Sequence, residues 1–228
     1  MTVPDSTYER IFAVYPPVSG MARPVAADLA DRIAREFGVT VPDSLRRFWS
    51  MLGAGLYGEG EVLLFGETGT NSSEPDVVEW NNEDWWRDVF PRPGDGVPFF
   101  FGCDAFGGQI GFRWESGVAI PVTFSATEME SYCLADDMDA LFADVLTARP
   151  ALVDPERLRA AIAQLGTVPV GQCYVCDVSP LLTGNDGGPF HLESLKVHIL
   201  TAMSEHAAIS KLPPGTDLSK VRLKASWR

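Results

Sequence analysis

The residues with the most direct metal-binding chemistry are two cysteines and two histidines near the C-terminal end of the chain. Cys173 and Cys176 are separated by two residues, and His191 and His198 follow them. Thiolate and imidazole groups in this order are typical of structural zinc sites, although the seven-residue step between the histidines is longer than such sites use. The intervening Tyr-Val pair favours a strand, in which the two cysteines point to opposite faces. We predict buried or half-buried thiols without a metal, and a metal-dependent hydrolase built on this set is the competing hypothesis.

The histidines also limit the catalytic chemistry that is open to this chain. All three lie between positions 191 and 206, so the preceding residues contain no imidazole that could act as a general base. His191, His198 and His206 are spaced by seven and eight residues, which places them on one flank of a helix predicted from Phe190 to Ala208. We interpret that flank as the polar border of the helix, with a metal-binding or titrating stripe as the alternative. The sequence has no GxSxG, GxxxxGK[ST] or HExxH motif, and we predict neither catalysis nor a cofactor.

Residues 74–88 differ from the rest of the chain because they combine six carboxylates and three tryptophans with a single cation, Arg87. Buried aromatic anchors supply much of the binding energy at protein interfaces, and carboxylates steer and pair with a basic partner. The alternative is that the tryptophans simply fill the space beside a sheet. We predict that this acidic–aromatic segment binds a protein partner. The predicted partner-binding residues are Glu74, Asp76, Glu79, Trp80, Glu83, Asp84, Trp85, Trp86 and Asp88.

The charge of the whole chain favours the same kind of partner. The 31 acidic and 18 basic residues give 228 residues a formal net charge of −13, which repels nucleic acid and anionic membrane surfaces. We therefore predict a basic protein partner, with no nucleic acid and no membrane. The N-terminal residues lack a signal-peptide pattern, and four irregularly spaced cysteines favour reduced thiols. Both features predict a cytoplasmic protein.

The elements that must position these residues are predicted from the apolar pattern. Helical spacing predicts one helix over residues 24–37 and a second from Asp43 or Ser44 to Leu52, and Val62–Phe65 is predicted as a strand. Residues 97–124 contain three apolar runs separated by Gly-rich turns, which predicts two successive antiparallel hairpins. A helix over residues 136–148 follows. We predict an α+β fold with a mostly antiparallel, twisted sheet and helices packed on one side.

A smaller C-terminal extension of α/β type is predicted after Pro150. Asp154 and Pro155 predict the start of a helix that ends before Gly166, and residues 171–178 predict a strand. The helix from Phe190 to Ala208 and a last strand from Val221 to Trp227 complete it. We therefore divide the chain into a domain of residues 1–150 and a helix-strand-helix extension, residues 151–228, packed on it.

Several stretches resemble a known superfamily. The run VPDSLRRFWSMLGAGLYGEGEVLLF, the run VPFFFGCDAFGGQIGFRWESGVAIPVTF and the closing DDMDALFADVL resemble, in this order, the helix, strand block and final helix of the SUKH superfamily. This resemblance covers about residues 20–148. The C-terminal GQCYVCDVSPLLTG and HLESLKVHILTAM are similar to the end of GAD-like immunity proteins of type VI secretion.

The resemblance implies an interaction protein of the toxin-immunity kind. It implies a protein that binds a cognate secreted bacterial toxin and blocks it by direct occlusion. A nuclease is one class of toxin that the resemblance implies. The superfamily also contains regulators of yeast cell-wall synthesis, so a non-enzymatic regulatory or scaffold protein of the same fold is the alternative.

Overall fold

A computed structural model describes residues 3–68, 74–90, 96–148, 152–180 and 188–218 of the chain. The helices are α1 Asp5–Val14, α2 Leu29–Phe37, α3 Asp43–Leu52, α4 Val77–Asn82, α5 Trp85–Val89, α6 Met138–Ala140 continuing into the π-helical turn Leu141–Val145, α7 Pro155–Leu165 and α8 Leu195–Ile209. The strands are β1 Gly55–Tyr57, β2 Val62–Leu64, β3 Phe99–Asp104, β4 Gln109–Glu115, β5 Val118–Ser125, β6 Glu130–Cys133, β7 Gln172–Cys176 and β8 Phe190–Ser194. The predicted strand Val221–Trp227 lies outside the described residues.

The main sheet has six strands in the order β1-β2-β3-β4-β5-β6, and every neighbouring pair is antiparallel. Consecutive strands are therefore neighbours in space, although the connection between β2 and β3 is long and contains α4 and α5. The three strands predicted over residues 97–124 are β3, β4 and β5. The predicted α+β class with an antiparallel sheet is confirmed. β1 and β6 are additional edge strands that were not predicted from the sequence.

One face of the sheet is covered by α1, α2, α3 and the π-helical turn. Phe142 contacts Tyr8 and Phe48, with ring centroids 5.8 and 4.7 Å apart, and so links the three helical elements. Phe37 of α2 packs against Phe99 of β3 at 5.4 Å. α1 was not predicted, although its Tyr8 is fully buried in the core.

The other face of the sheet carries the two short helices α4 and α5. Trp86 stacks on Phe100 of β3 with ring centroids 4.6 Å apart, and its edge meets Phe124 of β5. Phe99 and Phe101 alternate with Phe100 along β3, so the continuous apolar run supplies both faces. This explains why β3 contains no polar side chain before Cys103.

The C-terminal residues form a two-stranded antiparallel sheet, β7-β8, with α7 and α8 packed against it. The predicted helix from Phe190 to Ala208 is corrected here, since Phe190–Ser194 is a strand paired with β7 and the helix begins at Leu195. The Ser194 hydroxyl accepts a hydrogen bond from the Val197 amide and caps the helix. None of the described helices is both long enough and apolar enough to cross a membrane.

Candidate functional site

The three tryptophans of the acidic–aromatic segment lie in the interior. Trp80, Trp85 and Trp86 are 6, 8 and 1% exposed, and each ring meets the other two at centroid distances of 5.7 to 6.2 Å. The Trp86 indole N–H donates to the Trp80 carbonyl, and the Trp80 indole N–H donates to Gln109 Oε1. The structure thus places the indoles in the core, which is the alternative interpretation, and corrects their prediction as surface anchors.

Four of the six carboxylates in this segment have partners within the chain. Glu74 is buried and lies 2.5 Å from the Arg23 guanidinium, while Asp76 accepts hydrogen bonds from the first amides of α4. Glu83 lies 2.5 Å from Lys196 Nζ of α8, and Asp84 pairs with Arg87 at 3.1 Å. Glu74 and Asp76 therefore hold the segment in place, because both are bound where it enters α4.

The outward-facing carboxylates are a smaller set than predicted. Glu79, Asp84 and Asp88 are exposed, and Glu83 is half-buried beneath Lys196. Within the described part of the chain, Glu79 and Asp88 have no ion-pair partner. The Asp84–Arg87 pair is highly exposed on both sides and contributes little. We call Glu79, Asp84 and Asp88 the acidic ledge; its role in partner binding stays a prediction.

The cysteine and histidine set is not assembled at one point. Cys173 and Cys176 are both buried on β7, with Cys173 against Gly107 and Cys176 Sγ 3.9 Å from Arg157 Nη2. His191 is exposed on β8, where it lies 2.9 Å from Asp177. Among the described residues, no group of three or more His, Cys, Asp or Glu side chains is placed to hold a metal ion.

The flank of three histidines is also corrected. His191 belongs to β8 rather than to α8, so it cannot share a helical face with His198 and His206. His206 is exposed near the end of α8, whereas His198 is 8% exposed and lies against the β3-β4 turn. The heptad spacing was misleading because strand pairing with β7 determines the structure around His191.

The β3-β4 turn, residues 104–108, joins the main sheet to the C-terminal residues. Phe106 packs between Tyr174 and Phe190, each with its centroid 5.7 Å away, and the Arg157 guanidinium lies 3.9 Å from the Phe106 centroid. The Tyr174 amide donates to the Ala105 carbonyl, which extends backbone hydrogen bonding from the turn to β7. The turn is therefore a structural junction as well as a hairpin connection.

A polar cleft of about 490 Å³ opens beside this turn, between β5, the β5-β6 turn and α8. A second groove of about 210 Å³ shares its lining at Phe106, Arg157 and His198, so the two are continuous. The cleft is lined by the side chains of Asp104, Phe106, Thr123, Ser125, Glu128, Tyr132, Arg157 and His198. No function was predicted for Asp104 from the sequence, in which it stands out only as part of a Gly-rich turn.

The two titratable groups beside the turn have strongly shifted pKa values. Burial raises the pKa of Asp104 to about 6, against the opposing effect of the amides of Phe106 and Gly108 that donate to it. Burial lowers the pKa of His198 to about 4, and the nearby charges of His191 and Arg157 lower it further. At neutral pH Asp104 is therefore largely ionised and the imidazole of His198 is neutral.

The acidic–aromatic segment and the cleft are connected through one buried amide. Gln109 is fully buried; its Oε1 accepts from the Trp80 indole at 2.9 Å, and its Nε2 donates to the Gly107 carbonyl at 2.8 Å. Lys196 of α8 adds a second connection, since its Nζ lies 4.8 Å from the centre of the Trp85 ring. The two candidate surfaces are thus connected through the buried amide of Gln109 and through the exposed Lys196.

Among known proteins, a similar structure is found but no matching sequence. No family model matches the sequence, and no curated protein sequence matches it. The α+β fold is similar to the crystal structure of Atu4351 from Agrobacterium tumefaciens, with a TM-score of 0.54 and 15% sequence identity. The similarity covers 86% of this chain and 88% of that chain. At this identity it shows a shared fold alone.

Proposed function

We propose that this chain is an immunity-type binding protein that neutralises a cognate secreted bacterial toxin by covering the toxin's functional surface directly. The proposal is supported by the resemblance of residues 20–148 to the SUKH superfamily and of the C-terminal residues to GAD-like immunity proteins. It is supported also by the net charge of −13, which suits a basic partner. No catalytic step is part of the proposal.

The main observation behind the proposal is that the acidic ledge lies on a segment whose tryptophans are tightly packed in the core. Glu79, Asp84 and Asp88 are exposed, while the tryptophans of the same short helices are buried and stacked on one another. Charges that are presented on a well-packed segment lose little freedom when a partner binds. Exposed carboxylates such as these, of which Asp84 alone has a cation, Arg87, beside it among the described residues, act mainly on the rate of encounter and on the choice of partner.

The chemistry of the partner follows from this charge. A toxin that acts on nucleic acid needs a basic surface to hold phosphate groups, and an acidic protein of this size can cover that surface. The same negative charge opposes binding of this chain to the nucleic acid itself. A basic toxin of the nuclease kind is therefore the proposed partner, and direct occlusion is the proposed mechanism.

The test uses the purified chain and the product of the gene immediately beside its own. We expect a stable complex on size exclusion and rescue of cell growth when both are expressed. A variant with Glu79→Lys, Asp84→Lys and Asp88→Lys is expected to associate about 10- to 100-fold more slowly at low salt, because the reversed charges oppose encounter.

The matched control carries the same charge change on other exposed carboxylates. Glu9, Glu59 and Asp144 are exposed, and replacing them by lysine alters net charge equally while leaving the acidic ledge intact. Equal slowing of both variants would exclude the acidic ledge as the interface and leave only a net-charge effect. A neighbour that is neither toxic nor bound would contradict the immunity proposal and favour the regulatory alternative.

A further inference from the structure

The cleft beside the β3-β4 turn contains polar groups whose hydrogen-bonding capacity is not used within the described chain. His198 is more than nine-tenths buried, it lines both the cleft and the adjoining groove, and its ring makes no hydrogen bond to any described residue. A neutral imidazole carries one donor and one acceptor nitrogen, and both can bond to a group that enters the cleft. Among the residues that the structure describes, none supplies a partner for this ring, which lines the cleft.

Asp104 offers an unused acceptor in the same cleft. Its Oδ1 accepts hydrogen bonds from the amides of Phe106 and Gly108, at 2.8 and 3.0 Å, which fix the carboxylate against the turn. No described residue donates to Oδ2, and Asp104 lines the cleft. A carboxylate that is fixed through one oxygen and open through the other is prepared to accept from an incoming donor.

The charge around the cleft selects the kind of donor. Among the described lining residues of the cleft and the adjoining groove, Arg157 is the one arginine or lysine, and its guanidinium is already stacked on Phe106. The carboxylates that line these spaces are Asp104, Glu128, Asp177, Glu193 and Glu205. This excess of negative charge opposes phosphate groups and favours a cation.

Neutral hydroxyls complete the lining. Thr123 and Ser125 of β5 lie on the wall of the cleft; the Ser125 hydroxyl already accepts a hydrogen bond from the Glu128 amide at 3.2 Å, and no described residue bonds to the Thr123 hydroxyl. A planar guanidinium has five N–H donors and can meet a carboxylate, an imidazole nitrogen and hydroxyl oxygens together. The set of acceptors therefore fits arginine better than the compact ammonium of lysine.

We infer that this cleft is a binding site for an arginine side chain of the protein partner, with Asp104 Oδ2 and the His198 ring as the groups that contact the guanidinium. The inference deepens the proposed function, because it names the side chain that the partner inserts. It places a second contact region on α8 and β5, beyond the acidic ledge. Phe106 and Thr123 also line the cleft, beside the space that the aliphatic part of the side chain would occupy.

The test needs no toxin, so its failure and the failure of the proposed function are distinguishable. The probe is the peptide acetyl-Gly-Arg-Gly-amide, titrated into the whole chain while the ring carbon and proton resonances of His198 are followed by NMR. We expect a saturable shift of the His198 signals. The peptide with citrulline in place of arginine keeps the shape but not the charge, and we expect it to bind at least about 10-fold more weakly.

Two variants locate the binding. Asp104→Asn removes the charge with little change in size, and we expect it to weaken the arginine peptide about 10-fold or more. Glu9→Gln, at an exposed position of α1 outside the cleft lining, is expected to leave the peptide affinity unchanged. Equal binding of the citrulline peptide, an Asp104→Asn variant with unaltered affinity, or the absence of a saturable His198 shift would each overturn the inference. If the arginine peptide binds as expected and no toxin is found, the site stands and only the proposed partner is lost.

Discussion

At the scale of single residues, burial shifts the pKa values of Asp104 and His198 in opposite directions. Burial disfavours the charged form of both groups, so the pKa of Asp104 rises to about 6 and the pKa of His198 falls to about 4. Folding therefore makes the carboxyl easier to protonate and the imidazole harder to protonate. The charged groups that influence them are Arg157 and Glu61 for the carboxyl, and His191 and Arg157 for the imidazole.

These shifts predict opposite effects of pH on stability. Between pH 4 and 6 the unfolded chain protonates His198 while the folded chain does not, so this group makes stability rise with pH. Asp104 acts in the other direction, because in this range it binds its proton in the folded chain and not in the unfolded chain. In the wild type the two contributions largely cancel. Each contribution changes the free energy of unfolding by about 1.4 kcal/mol per pH unit where the folded and unfolded chains differ by one bound proton.

Single substitutions should separate the two contributions. With Asp104→Asn, the free energy of unfolding is expected to rise more steeply with pH between 4 and 6 than in the wild type, because only the His198 contribution is left. With His198→Gln it is expected to rise less steeply or to fall. Urea unfolding at several pH values measures both slopes, and all other titrating groups are common to the three proteins. Identical slopes would contradict the shifted pKa values.

At the scale of elements, two glycines with the same backbone conformation serve hairpins in different surroundings. Gly107 in the β3-β4 turn has φ +83°, and Gly117 in the β4-β5 turn has φ +84°. A Cβ at position 107 would lie 2.7 Å from His198 Cδ2 and 3.2 Å from Cys173 Sγ, whereas a Cβ at position 117 would meet nothing within 4 Å. The first turn is packed against the C-terminal residues, and the second is open.

Replacing each glycine by alanine should therefore separate backbone strain from packing. Both variants place a side chain in the left-handed region, which costs about 1–2 kcal/mol. We expect Gly107→Ala to lose about 1–3 kcal/mol more than Gly117→Ala, because His198 and Cys173 must move to admit the methyl group. Denaturant unfolding gives both values. Losses of the same size would show that the turn is not packed as described.

At the scale of the whole molecule, one continuous apolar core includes residues from both predicted regions. Leu158, Tyr174 and Ile199 of the C-terminal region belong to the same buried cluster as Phe100 and Phe142 of the main sheet region. The division at residue 150 remains a prediction about sequence organisation. The shared core leads us to expect that the regions unfold together rather than separately.

The cysteines provide a direct probe of this cooperativity. Cys103 on β3 and Cys173 on β7 are buried free thiols, one in each region, and burial raises the pKa of both. We expect a thiol reagent to label both at the same urea midpoint, measured by mass spectrometry of the two peptides. The exposed Cys133 should react at once in the absence of urea and serves as the internal reference. Labelling of Cys173 at clearly lower urea would show a separately unfolding C-terminal region.

The sequence by itself determined the features that depend on neighbours along the chain. The apolar runs and Gly-rich turns of residues 97–124 predicted β3, β4 and β5 because hairpin pairing needs only short connections. Asp154 capped α7 as predicted, since a cap acts over three residues. The strand at residues 172–176 also followed from its local composition. Net charge is likewise a property of composition alone.

Only the tertiary structure decided which side chains are buried and which carboxylates are paired. Glu74 is bound by a residue 51 positions away, and Glu83 by Lys196, 113 positions away, so no local pattern could identify them. The stripe of Leu192, Leu195 and Ile199 fits a helix, yet pairing with β7 makes the first of these a strand residue. The cleft arises in the same way, because Asp104 and His198 line one space only where the β3-β4 turn contacts α8. The physical reason is that burial and charge pairing depend on contacts between residues distant in the chain.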